Sequence, residues 1–126
     1  MEVEAKRVAE WLSAYQEAWQ SYDPGAIGDL FSEDVAYRYH PYDEPIRGRG
    51  AVVASWLEDR DAEGTYEGVY EPLVVAGDKA IATGTSTYRD GDDVRIYDNC
   101  FILRFDDEGR CAEFTEWYMR RPGSTG

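Results

Sequence analysis

The feature that most constrains this fold is a change of hydrophobic period near residue 65. Over residues 3–22, Ala5, Val8, Leu12, Tyr15, Trp19 and Tyr22 recur at alternating spacings of three and four. That spacing marks one apolar stripe of an amphipathic helix. Beyond residue 65 the chain reads as four long strands, 65–76, 79–89, 94–105 and 110–120. They are separated by Gly77-Asp78, Asp90-Gly91-Asp92 and Asp106-Asp107-Glu108-Gly109. Gly-containing connections of this kind join antiparallel neighbours. Between the two regimes, Asp23-Pro24 supplies an N-cap and a first-position Pro for a short second helix, with Ile27, Leu30 and Phe31 inward. A strand over 35–39 follows. A third helix runs from Gly48 to about residue 60, with Val52, Val53, Trp56 and Leu57 on its buried side. Three helices followed by an antiparallel meander define an α+β protein, whose twisted sheet must curl to bury one face against the helices.

The 126 residues, 43% of them hydrophobic, suffice for one core, so a single domain over 1–126 is expected, with 121–126 as a frayed tail. No apolar run reaches 18 residues, and the start, MEVEAKR, lacks a signal core; neither a membrane span nor secretion is expected. A net charge of −13 repels a phosphate backbone and argues against a nucleic-acid partner. Two cysteines, Cys100 and Cys111, and one histidine make neither a disulfide framework nor a zinc ligand set. They read as reduced thiols in a cytoplasmic protein. The run Asp90–Asp93 has the composition of a tight turn and lacks a twelve-residue calcium loop. Neither a metal nor a cofactor is expected.

Writing out the last hairpin with Phe105 opposite Arg110 places Phe101 against Phe114, Leu103 against Ala112, Asn99 against Glu116 and Tyr97 against Tyr118. This face is mostly apolar and therefore inner. The same face of the preceding strand carries Ala80, Ala82, Gly84 and Ser86, which are small and leave a void. A bulge near Pro72 leaves open whether Tyr70 or Glu71 faces it.

Glu116 is the leading candidate for a general base, because desolvation among Tyr97, Tyr118, Phe101 and Phe114 would raise its pKa; Asn99 would hold it or polarise a substrate carbonyl. His40, in the aromatic stretch 31–48, is the second candidate, as a proton shuttle at the pocket mouth. Tyr15 and Tyr39 are candidate oxyanion donors, and Trp19, Tyr37 and Trp56 candidate walls. The structural alternatives are a buried Glu bonded to Asn99, a loop-anchoring His and ordinary aromatic core packing. Asp43 and Glu44 read as solvated.

The segments "SYDPGAIGDLFSEDVAYRY", "EPIRGRGAV" and "FILRFDDEGRCAEFTEWY" make the chain resemble the NTF2-like superfamily, and within it the SnoaL-like group. The superfamily includes polyketide cyclases, ketosteroid isomerases, scytalone dehydratases and limonene epoxide hydrolases. The resemblance implies a cone: an α+β barrel of strongly bent, mainly antiparallel sheet around three N-terminal helices, with a deep pocket. Against ketosteroid isomerases, Tyr15 falls where an oxyanion-binding tyrosine stands. Their general-base aspartate falls on Tyr39, and their second oxyanion acid near Phe101. The expected function is a cofactor-free isomerase, cyclase or dehydratase acting next to a carbonyl of a small hydrophobic molecule. The alternatives are a non-catalytic binder of a hydrophobic metabolite and a dimeric interaction domain. Ile102, Trp117 and Met119 on the outer face point to a homodimer.

Overall fold

The computed structural model describes residues 3–58 and 64–123 of the chain. Helix α1 (Ala5–Ser21) buries Val8, Trp11, Leu12, Tyr15 and Ala18. The buried stripe is thus wider than the expected one and begins later, since Ala5 is exposed and Trp19 only partly covered. Tyr22 ends the helix in the left-handed region at φ 52° and returns its N–H to the Ala18 carbonyl. In α2 (Pro24–Asp29), the Asp23 carboxylate accepts from the Ala26 N–H. Phe31 opens strand β1 (Phe31–Arg38) instead of extending α2. A two-residue strand β2 (Ile46–Arg47), not foreseen, leads into α3 (Arg49–Glu58), which buries Val52 and Trp56. The expected end of α3 at residue 60 lies outside the described residues, as do positions 124–126 of the tail.

Strands β3 (Tyr66–Ala76), β4 (Lys79–Asp90), β5 (Asp93–Phe105) and β6 (Cys111–Arg120) complete one sheet in the order β2-β1-β6-β5-β4-β3. Only the β1–β6 pair is parallel. The expected bulge is present: register shifts between Pro72 and Val74, and this turns Tyr70 inward and leaves Glu71 exposed. The β4–β5 register matches the inner row of small residues, with Ala82 opposite Phe101, Gly84 opposite Asn99 and Ser86 opposite Tyr97.

The β5–β6 register differs from expectation. Leu103 opposes Phe114, Phe101 opposes Glu116 and Asn99 opposes Tyr118. Phe105 pairs with Cys111 and Arg104 with Glu113, so the turn is one residue longer than assumed and Ala112 is an extra residue in the ladder. The slip totals two, and a slip of two keeps every side chain on its face. Phe114 and Glu116 therefore stay inside.

The core lies between α1 and the closed end of the sheet, around Trp11, Leu12, Phe31, Phe101, Leu103, Phe105 and Phe114. The Trp11 indole donates to the Leu30 carbonyl at 2.9 Å and pins α1 to the start of β1. At Gly84 a Cβ would lie 2.1 Å from the Val69 carbonyl oxygen, so only glycine lets β3 curl this tightly over β4. No helix among the described residues is long and apolar enough to cross a membrane.

Candidate functional site

At its other end the cone opens into a cavity of about 750 Å³, a volume within the usual range for small-molecule sites. Every layer contributes to the wall: Tyr15 and Trp19 from α1, Trp56 and Ser55 from α3, Tyr37 from β1 and Tyr39 just after it, and the inner rows of β3 to β6.

A string of side-chain hydrogen bonds crosses the cavity floor. Asn99 Nδ2 donates to Glu116 Oε2 at 2.7 Å, and Ser86 Oγ donates to Asn99 Oδ1 at 2.9 Å. The Ser86 hydrogen is thereby used, so at the 2.6 Å contact with Tyr70 the phenol is the donor. By the same count Tyr66 donates to Tyr70. All the dipoles point toward the Glu116 carboxylate. Burial nevertheless dominates its protonation: the Glu116 carboxyl is pushed up to about 7, against the opposing hydrogen bond from Asn99. Burial likewise pushes Tyr70 up to about 12, and raises Tyr15 and Tyr37 well above the ordinary phenol value, with Glu116 adding to both. These phenols stay protonated, as donors.

The wall around Tyr15 is aromatic and tightly interlocked. Trp19 and Trp56 meet edge to face at 4.5 Å, and Tyr37 stacks on Phe114 at 4.6 Å. Trp19 Nε1, Trp56 Nε1 and the Tyr37 hydroxyl are buried with no hydrogen-bond partner among the described residues. Tyr39 bonds Ser55 through its hydroxyl at 2.8 Å.

Of the residues singled out from sequence, the structure gathers Glu116, Tyr15, Tyr39, Trp19, Tyr37, Trp56, Tyr97, Asn99 and Tyr118 around this one cavity. Phe101 and Phe114 are not in contact with it, which corrects their assignment as substrate-contacting residues. They are 1% and 0% exposed, sealed beneath Tyr15 in the core. Strand alternation correctly turned them inward, but it carries no information on depth along the cone.

His40 stands behind the wall. Its Nε2 lies 2.7 Å from the Tyr118 hydroxyl and its Nδ1 2.9 Å from Asp43 Oδ2. Asp43, read from sequence as solvated, is thus a partner of His40. Sequence reasoning also missed Ser55, Glu58, Tyr88 and Arg95, left Tyr70 undecided at the bulge, and took Ser86 only as a small residue. For Ser86 the available signal was its place as the polar end of the Ala80-Ala82-Gly84 row. No group of three or more His, Cys, Asp or Glu side chains able to hold a metal occurs among the described residues.

The model of the SnoaL-like domain family matches residues 12–114. No curated protein matches the sequence significantly. Among solved structures, an M. tuberculosis LEH-like epoxide hydrolase superposes with a TM-score of 0.68 at 16% identity, over 93% of this chain and 86% of that one. Bal32a, from a soil-derived mobile gene cassette, superposes with a TM-score of 0.70 at 21% identity, over 92% of both chains. At these identities the likeness establishes the fold, an NTF2-like cone.

Proposed function

This chain belongs to the SnoaL-like domain family, and on that footing we propose that it is a cofactor-free enzyme that moves a proton next to a carbonyl on a small, partly apolar molecule. The observation that carries this reading is Glu116: a carboxylate in an aromatic cavity, held by Asn99, with its pKa pushed up to about 7. A base poised near the working pH combines adequate ionisation with adequate proton affinity. Glu116 takes the proton α to the carbonyl. Tyr15, kept protonated by burial, offers its hydroxyl to the oxygen on which charge collects. The family includes isomerases and epoxide hydrolases, in keeping with proton chemistry at such a site.

Conversion of 3-cyclohexen-1-one to its conjugated isomer tests the assignment. Glu116→Gln retains the fold by circular dichroism and loses roughly a hundredfold or more in kcat. Unchanged turnover would eliminate Glu116 as the base. A wild-type protein that binds the ketone without converting it would make the chain a binding protein.

The outer face of the sheet motivates a proposal about assembly. Val69, Val74, Ile102, Trp117 and Met119 are exposed across that face, Met119 at 74%. A second copy of the chain fits such a face. In sedimentation, Trp117→Glu with Met119→Lys halves the mass; a monomeric wild type at tens of micromolar refutes the dimer.

A further inference from the structure

We propose that Asp43, His40 and Tyr118 form a second proton-transfer unit at the cavity mouth, one that protonates a departing oxygen, and that the substrate class is therefore a β-hydroxy carbonyl compound from which water is eliminated. The inference rests on the reading of Glu116 as base and adds the acid that this reading lacks.

The geometry dictates the direction of the unit. A carboxylate oxygen accepts, so the 2.9 Å contact with Asp43 places the imidazole hydrogen on Nδ1. Nε2 is then a lone pair, and the Tyr118 hydroxyl 2.7 Å away donates to it. Tyr42 stacks on the imidazole at 5.2 Å, with the planes 9° apart, and Arg38 Nε holds the loop through the Asp43 carbonyl at 3.2 Å. Tyr118 lines the cavity two residues from Glu116 on the same face of β6. When His40 takes a proton from solvent, its Nε2–H donates to the Tyr118 oxygen and the phenol hydrogen turns to the cavity. His40 is about one-third exposed, so it has access to that solvent. Burial raises the Tyr118 phenol, and Glu116, Tyr42, Tyr97 and Asp43 raise it further. The His40 imidazole faces it as well, at 2.7 Å. Tyr118 therefore works as a hydroxyl donor and not as a phenolate.

An isomerase can take a proton and return it with one carboxylate, whereas elimination also has a leaving oxygen to protonate, which a separate acid on another part of the wall can serve. Glu116 removes the α-hydrogen, the C–H electron pair becomes the C=C bond, and the C–O bond breaks. The leaving oxygen takes the Tyr118 hydrogen and departs as water. Tyr118 recovers a proton from His40, and solvent removes the proton from Glu116 and reloads the imidazole. No electron carrier is involved. Tyr118 touches the substrate; His40 acts through Tyr118 and positions and recharges it.

Two measurements test the unit. His40 is the chain's only histidine, so ¹⁵N-histidine labelling reads a single imidazole. The expected neutral form carries its hydrogen on Nδ1, and Tyr118→Phe shifts the Nε2 resonance. A hydrogen on Nε2, or an unmoved resonance, overturns the relay. In the second measurement, 3-hydroxycyclohexanone and 3-cyclohexen-1-one are compared, because both yield 2-cyclohexen-1-one, by elimination and by isomerisation. Tyr118→Phe and His40→Gln depress elimination at least about tenfold more than isomerisation. Equal losses overturn the inference. Isomerisation by the wild type without elimination overturns it and leaves Glu116 as base; turnover of neither compound overturns both.

Discussion

At the closed end of the cone, Leu103 of β5 meets Phe114 of β6 beneath Trp11 and Phe31. Along the same two inner faces toward the open end, Asn99 and Glu116 meet on the cavity floor. The strands and helices are continuous between the two ends. What changes is side-chain size and cover. At the closed end, α1 lays Trp11 and Leu12 directly on the sheet, and the inner positions are fully buried hydrocarbon. At the open end the small row on β4 continues as Gly84 and the polar Ser86, and the helices present Tyr15, Trp19 and Trp56 across a gap. A curved sheet can thus carry core and site on one face, and the boundary between them falls within a single inward step, from Phe114 to Glu116.

The sharpest way to break this comparison is to empty the closed end. Phe114→Ala removes a fully buried ring in contact with Tyr15, Tyr37 and Phe101. The expected loss is about 4 kcal/mol in urea unfolding, in the range for buried Phe→Ala changes. A loss under about 1 kcal/mol would mean that this end is not close-packed, and the contrast between core and cavity would disappear.

The same contrast explains what could be read in the sequence. The switch from helical to strand period, the turn residues and the Pro72 bulge are local signals, and they delivered the α+β order, the small-residue row on β4 and the inner face of β5 and β6. The Asn99–Glu116 contact emerged even though the assumed register was wrong by two, because alternation preserves the face and the two side chains still reach each other diagonally. Strand alternation says nothing of depth, so Phe101 and Phe114 were placed in the site although they belong to the core. The parallel β1–β6 pairing and the short β2 depend on tertiary closure and leave no local mark. The His40–Tyr118 contact, across 78 residues, is of the same kind. Asp43 looked solvated because its partner, His40, lies three residues away in an irregular loop, where no hydrophobic period marks which side chains meet.

A smaller effect sharpens the comparison from the open end. Glu116 is an acid whose folded pKa, about 7, stands above the ordinary 4.5. Between those values the folded chain holds more protons than the unfolded one, so stability falls as pH rises through that window, and the full loss is present above pH 7. The 2.5-unit difference corresponds to about 3 kcal/mol. Glu116→Gln keeps the shape and the hydrogen-bonding capacity and cannot ionise. Relative to the wild type, it should therefore be nearly neutral at pH 4 and more stable by up to that amount at pH 8, as read by the difference in urea midpoints across the range. Parallel pH profiles for the two proteins would show that Glu116 titrates as a solvated carboxyl; the open end would then be wet surface, and the cavity would have no poised base to offer.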